Sequence, residues 1–586
     1  MRQWMVAAKK ADFYAIAEKF HVDPVVARII RNREVIGEKN IRIYLGGNLS
    51  DLSDPHQMKD MDRLGGILAQ KIRKQVHIRI IGDYDVDGVT SSHLFLTALR
   101  RVGAKVDVVI PHRIQDGYGL SLHLLQQAKE DGVDTILTCD NGIAAIDEIA
   151  WAKAQKMTVL VTDHHAVPFE EHEGRRTEKK SLADAVVNPH QQDCGYPYKE
   201  LCGAGVAWNV IRVLYENYDM DKREAEDLLD FVAMATVCDV MSLTGENRIL
   251  VKEGLKRIRH TKNIGLQALM QACNVQPENI SAYHFGYVLG PCVNATGRLD
   301  TARHALRLFE TGQATEAEEI ARDLVDLNQE RKELTLQGVE MAKKLCEEGG
   351  YENDPVLVLF LPDVHESIAG LIAGRIREMY NRPVFVLTRG EEGVKGSGRS
   401  TENYSMYENM CGCAELFTKF GGHPMAAGLS LPEENVEKFR RKINENCPLT
   451  VEEVCPDIHI DMAMPVGYAS TELVHQFALL EPFGKDNPSP LFADRNLSIS
   501  RMWLIGKNRN VLRMSVLSEY GQPVPVIFFG DVETLFAYFT EKFGQEEVEN
   551  ARHGRKNRIL FSMVYTAKID FYQGNENLQL EMKYYR

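Results

Sequence analysis

The stretch Ile80-Ile81-Gly82-Asp83-Tyr84-Asp85-Val86-Asp87-Gly88 places three carboxylates at alternating positions directly after an apolar, strand-like run, His77 to Ile81. Crowded carboxylates repel one another and destabilise a fold unless a cation neutralises them. A hard divalent metal is the natural partner. The pattern D-x-D-x-D-G also opens an EF-hand calcium loop. Here, however, the twelfth position is Leu94 where a bidentate Glu is required, and the preceding segment reads as strand. An ordinary acidic turn remains an open alternative for this motif alone.

Working outward, strand signals recur near 77–82, 106–110, 135–139, 157–162 and 184–187, with helical segments at about 89–101, 120–130 and 143–155. That alternation predicts βαβ units, hence a parallel sheet with helices on both faces. Two further clusters sit just past strand ends: Cys139-Asp140-Asn141-Gly142 and Asp163-His164-His165. Each is weak alone, since Asp-Asn-Gly is a common turn and paired histidines are often surface residues. Doubly wound sheets, however, bind ligands at the carboxyl ends of their strands, so clusters far apart in sequence converge there. Mixed carboxylate and imidazole ligation favours Mn²⁺ or Mg²⁺ over structural zinc. A carboxylate bridging two ions about 3.5–4 Å apart lets one generate hydroxide while both polarise phosphorus. The residues therefore point to a metal-dependent hydrolase of phosphate esters.

The chain has 586 residues, too many for one core, so three or four domains are expected. Charged residues at 26% and hydrophobic residues at 44% match an ordinary soluble globular protein. A net charge of −14 argues against a surface coated for DNA, but not against a local basic groove. Basic windows occur at 71–74, 252–262, 395–399 and 552–558. Eleven cysteines without a regular framework read as reduced thiols. Apolar runs such as Pro355 to Pro362 are too short to span a bilayer, and the start lacks a secretory apolar region, so a cytoplasmic address is expected.

The organisation reads as follows: a helical lead over 1–75, the α/β domain over 76–300, and a connecting helix within 301–350 that begins near Thr315. A second α/β domain covers 351–450, with strand signals at 355–361 and 384–388 and a helix at 365–380. From 455 to 586 short strands near 498–504, 510–517, 523–529, 559–567 and 578–584 suit a five-stranded barrel of the oligonucleotide-binding type. Small-residue loops at 294–298, 396–400 and 421–428 each carry one cation or potential cation, which suits close approach to phosphate.

These motifs, in this order, resemble the DHH phosphoesterase superfamily, named for the triplet seen here as Asp163-His164-His165, and within it the single-stranded-DNA-specific exonucleases. Gly82 to Gly88, Gly117-Tyr118-Gly119-Leu120, Asn294 to Arg298, Gly421 to Gly428 and Glu481 to Pro488 carry the likeness over nearly the whole chain. Val86, where Ala is frequent, and Lys485-Asp486, where Gly is common, are minor departures.

The resemblance implies a doubly wound parallel-sheet DHH domain, a long connecting helix, a second α/β domain of DHHA1 type and a C-terminal OB-like β-barrel. It implies two Mn²⁺ or Mg²⁺ ions held by Asp83, Asp85, Asp87, Asp140, His164 and Asp239, with Asp140 bridging. His165 would contact the scissile phosphate and Asp163 would orient the histidines. Arg298 and His423 would hold phosphate across the cleft, while Ser397, Arg399 and Arg113 would form a 5′-phosphate pocket. Tyr118, Asn294 and Gly422 are further substrate-binding candidates.

The implied reaction is 5′→3′ hydrolysis of single-stranded DNA to 5′-mononucleotides in repair and recombination. The barrel would grip incoming strand, with Phe483, Phe492 and Trp503 weighed as stacking residues against a core role. Single-stranded DNA is the implied partner of a monomer, with a single-strand-binding protein and a RecQ-type helicase as protein partners and no membrane. One rival is a DHH phosphodiesterase of oligoribonucleotides or cyclic dinucleotides, whose chains usually end after the Gly-Gly-His domain. Another is a non-catalytic DNA-binding scaffold, which would show eroded ligands; every expected Asp and His is present here. The third is a plain single-strand-binding protein, whose binding would survive a chelator.

Overall fold

The structure, a computed structural model, describes residues 3–113, 116, 119–172, 175–390, 393–506, 509–572 and 574–586. The chain forms two compact units. One contains Leu52–Met241 and Ile249–Pro456, the other Gln3–Asp51, Ser242–Arg248 and Asp457–Arg586.

The first unit opens with a five-stranded sheet of β1 (Ile78–Ile81), β2 (Val106–Val109), β3 (Thr135–Cys139), β4 (Thr158–Thr162) and β5 (Ala185–Val187). The order is β2-β1-β3-β4-β5 and every pairing is parallel. Such strands are covered on both faces and so read as unbroken apolar runs. Ile81, Ile136, Val159 and Val161 pack under Leu124, Leu125, Ile149 and Ala152 from α2 (Leu122–Glu130) and α3 (Ile146–Ala154). Alternate positions, such as Ile80, Leu137 and Leu160, point to the opposite face. On that side α1 (Val86–Arg101) and α4 (Gly203–Glu216) contact the sheet and each other. Then follow α5 (Leu229–Cys238), α6 (Ile264–Ala272), α7 (Gly290–Leu299) and the 35-residue α8 (Ala314–Glu348), which starts one residue before the expected Thr315.

The end of α8 supplies Val339 and Ala342 to the core of a second sheet, together with α9 (Ala369–Tyr380). That sheet contains β6 (Leu357–Phe360), β7 (Val384–Gly390), β8 (Gly393–Arg399), β9 (Lys419–His423) and β10 (Ala426–Leu431), in the order β9-β10-β8-β7-β6. Only β6 and β7 run parallel.

In the second unit the strands Phe492–Ile505, Val511–Leu517, Pro523–Phe528, Asn575–Tyr585 and Leu560–Tyr572 pair successively. The last pairs back to the first, so the five form a closed ring. Helices Val532–Phe543 and Gln545–Arg552 lie between the third and fourth strands in sequence, a feature absent from the sequence reading. Phe492 is buried in the barrel core and Phe483 packs partly against it, which removes them as free stacking surfaces. Trp503 is half-buried, with the Arg501 and Arg513 guanidiniums 5.3 and 5.9 Å from its ring.

The segment read as one helical lead over 1–75 is divided. Residues Trp4–Val6 form a strand parallel to Ile458–Ile460, and Val26, Ile29 and Ile30 join the barrel core. Arg33 grips Asp461 at 2.7 and 3.1 Å, with both side chains nearly buried. The helix Met61–Arg73 instead packs on α4 in the first unit. Among the described residues no helix is long and apolar enough to cross a membrane.

Candidate metal centre and phosphate cleft

The first acidic loop folds back tightly on the start of α1. A Cβ on Gly88 would lie 2.4 Å from the Asp83 carbonyl oxygen, so only glycine fits the approach. Asp85 caps α1 by accepting the Gly88 N–H at 3.0 Å. Asp87, in the first turn, accepts the N–H groups of Gly203 at 2.6 Å and Ala204 at 2.7 Å from the start of α4. A carboxylate is thereby fixed between two positive helix ends. Asp140 follows β3 in the left-handed region, with φ of 62°. A Cβ on Gly203 would come 2.6 Å from the Asp140 Cβ, so this glycine too marks close packing around the site.

Asp163 is saturated. It accepts the backbone N–H groups of Ile143, His164 and His165 at 2.9, 2.7 and 3.0 Å, and its Oδ1 meets His165 Nδ1 at 2.8 Å. Against burial, which would raise it, the bond and charge of His165 hold Asp163 below the usual carboxylate range. His165 is opposed by burial yet pushed up to about 9, chiefly by Asp163.

His164 is buried, which lowers its pKa and keeps the imidazole neutral, as a ligand requires. Its Nε2 lies 3.1 Å from Asp140, 3.6 Å from Asp239 at the end of α5, and 3.7 Å from Asp87. Three groups of side chains bring ligand atoms within 4.8 Å of one another: Asp140-His164-His165, Asp87-His164-Asp239 and Asp83-Asp85-Asp140. Asp140 belongs to two of them.

Burial, followed by the neighbouring carboxylates, raises Asp83, Asp85 and Asp140 above the ordinary range. The Asp83 Oδ1 is buried without a hydrogen-bond partner among the described residues. An acidic atom left orphaned beside mutually repelling acids fits a cation. The donor set of five carboxylates and one imidazole fits Mn²⁺ or Mg²⁺.

Tyr84 of the acidic loop also borders a cavity lined by cations. This cavity, of about 810 Å³, is lined by residues that include Tyr84, Arg113, Ser367, Ser397, Lys419 and Gly422. Arg298, on α7, donates to the Ser367 carbonyl at 2.6 Å. Burial and then Arg113, Arg331 and Arg399 depress its pKa to about 10. Burial, Arg113 and Arg377 likewise lower Arg399, whose Nη1 reaches the Gly398 carbonyl at 2.8 Å. Arg113 stacks over Tyr84 at 4.9 Å. Three neighbouring guanidiniums, none ion-paired to a carboxylate among the described residues, have the chemistry that suits a phosphate.

Two of the sequence candidates sit differently. Asn294 uses its Oδ1 to accept the Val86 N–H at 3.2 Å, because α7 packs on the start of α1, so it positions the acidic loop. His423 is exposed on β9, and the cavity takes Gly421 and Gly422 from that strand rather than His423. Tyr118 lies outside the described residues. Sequence reading missed Lys419, Thr388 and Glu366, the last paired with Lys395 at 2.8 Å. The signal for Lys395 was available: Lys395, Ser397 and Arg399 alternate on one face of β8.

Fold and site together define a DHH-type phosphoesterase with a second α/β lobe. Sequence models support this part by part: "DHH family, N-terminal domain" matches residues 77–236, "DHHA1 domain" 353–447 and "RecJ OB domain" 460–584. The single-stranded-DNA-specific exonuclease RecJ of Haemophilus influenzae is 32% identical, over 96% of each chain. That of Bacillus subtilis is 33% identical over 87% of this chain, which spans only 63% of its length. The crystal structure of Thermus thermophilus RecJ with Mn²⁺ superposes with a TM-score of 0.79 at 25% identity, covering 100% of this chain and 79% of that one. The chain belongs to the RecJ family of exonucleases.

Proposed function

We propose that this protein is a metal-dependent exonuclease that hydrolyses single-stranded DNA from its 5′ end to 5′-mononucleotides in repair and recombination. The supporting observation is the convergence of Asp83, Asp85, Asp87, Asp140, His164 and Asp239 into shared groups of ligand atoms, with the Arg113 guanidinium near enough to act on Asp83 and, with Arg399, on Arg298. Asp83, Asp85, Asp87, Asp140, His164 and Asp239 would hold two Mn²⁺ or Mg²⁺ ions, which when bound would supply a hydroxide nucleophile at neutral pH and polarise phosphorus.

The chain's own groups do the rest. Asp163 fixes the His165 ring through Nδ1, and the His165 imidazole stabilises the negative charge that develops on the scissile phosphate. Arg298, on α7 and tied to the Ser367 carbonyl of the second lobe, binds phosphate between them. Arg113, Ser397 and Arg399 take the terminal 5′ phosphate, with bidentate contacts from the guanidiniums. The barrel, with Arg501, Trp503 and Arg513, holds strand by charge and stacking. We place the enzyme in the cytoplasm as a monomer, supplied with strand by a helicase of RecQ type and by single-strand-binding protein.

A 5′-labelled single strand digested with Mn²⁺, Mg²⁺ or EDTA tests the reading. Label is expected as mononucleotide from the first time point, with no product in EDTA and a resistant blunt duplex. Early release of internal fragments, or rapid duplex digestion, refutes it.

A further inference from the structure

We propose that Cys273 and Cys292 form an oxidisable dithiol whose disulfide restrains the helix that carries Asn294 and Arg298 and so slows cleavage. The two sulfur atoms are 3.8 Å apart. Cys273 ends α6 and is partly exposed, whereas Cys292 lies within α7 and is only 1% exposed. The pair is therefore asymmetric, with one thiol open to a small oxidant and the other waiting behind it. The hydrogen bond with Cys292, helped by Lys332, lowers the Cys273 thiol, while the same bond and burial raise Cys292. A partly exposed thiol beside a buried one is the arrangement of an attacking and a resolving cysteine.

With a hydroperoxide as oxidant, the Cys273 thiolate attacks one peroxide oxygen, the O–O bond breaks, and hydroxide or alkoxide leaves. The resulting sulfenic acid is attacked by the Cys292 sulfur, which gives up its proton. The S–O bond breaks, water leaves and the S–S bond forms. Two thiols are oxidised by two electrons and one peroxide is reduced.

Closure to about 2.05 Å requires the sulfurs to move together. Cys292 is held in place on both sides, since its Sγ accepts from Asn328 at 3.4 Å and donates to the Val288 carbonyl at 3.3 Å. Movement there is transmitted along α7. Two residues on, Asn294 holds the acidic loop through Val86, and a further turn on, Arg298 holds Ser367 across the cleft. The effect on cleavage rests on the exonuclease reading; formation of the bond does not.

The test treats the full chain, in Mg²⁺, with hydrogen peroxide, then alkylates it and digests it without reductant. Mass spectrometry is expected to show the peptides of Cys273 and Cys292 joined, two hydrogens lighter than their sum. Single-strand hydrolysis is expected to fall at least threefold and to return with dithiothreitol. Cys273→Ser keeps the unoxidised rate and loses both the linkage and the sensitivity, and Cys292→Ala, as a second variant, also yields no linkage. No joined peptide, a joined peptide with an unchanged rate, or a Cys273→Ser protein that remains sensitive overturns the proposal. If the reduced enzyme hydrolyses nothing, the exonuclease reading fails, while the joined peptide still decides the site.

Discussion

Arg298→Met sets stability against activity at the cleft. The Arg298 guanidinium is partly buried beside other cations, and its pKa stands at about 10 against 12.5 for an ordinary arginine. After screening at its solvent-exposed edge, that corresponds to about 2–3 kcal/mol of disfavour toward the charged form. The hydrogen bond to the Ser367 carbonyl, at 2.6 Å, returns about 1.5–3 kcal/mol. Methionine removes both contributions and fills much of the same volume, so the two losses nearly cancel. The unfolding free energy in EDTA, measured by urea titration, is expected to stay within about 1 kcal/mol of the parent. Activity has no such compensation. Losing a charge-assisted contact to phosphate, worth about 2–4 kcal/mol, lowers kcat/KM on a 5′-labelled single strand about 30- to 1,000-fold. Arg298→Lys keeps the charge but not the planar fork and falls between. A loss of activity below threefold, or a stability loss above about 3 kcal/mol, would show that Arg298 is a structural tie and refute the phosphate role.

Asp140→Ala should abolish hydrolysis, by at least about 10³-fold, while slightly raising stability in EDTA because it removes a buried carboxylate and its repulsion with Asp87 and Asp85. Added Mn²⁺ should raise the unfolding temperature of the parent, and that rise should shrink or vanish in Asp140→Ala; an equal rise in both proteins argues against Asp140 as a ligand. Asp461→Ala leaves Arg33 nearly buried without its partner, and calorimetry should show a loss of about 3–5 kcal/mol; a loss below 1 kcal/mol would count against a buried pair. His93, enclosed by Phe231 and Phe309, is depressed by burial from 6.5 to about 3 and so stays neutral in the fold. The stability this gives is full above pH 6.5 and is lost as pH falls toward 3. Between pH 7 and pH 5 the parent should therefore lose about 2 kcal/mol more than His93→Phe in urea titrations, and parallel profiles would contradict the assignment.

The metal centre was legible because a parallel sheet writes itself into sequence twice: as apolar runs buried on both faces, and as chemistry at the strand ends. Asp83 to Asp87, Asp140 and Asp163 to His165 each follow such a run, so the topology brings them together without any local signal linking them. The division of the N-terminal lead was illegible for the opposite reason. Helices Pro24–Asn32 and Met61–Arg73 are both amphipathic, and nothing within either says which apolar surface it will meet. The partners that decide, Asp461 for Arg33 and the face of α4 for the later helix, lie far along the chain. Asn294 shows the same limit at the scale of one side chain. The segment 294–298 reads as a small-residue loop at phosphate, yet it lies within the helix α7, and the contact with Val86 makes Asn294 a support for the acids. Residue type and spacing thus specify the chemistry available at strand ends, whereas the packing of α7 on α1 decides which polar group meets substrate and which holds the loop.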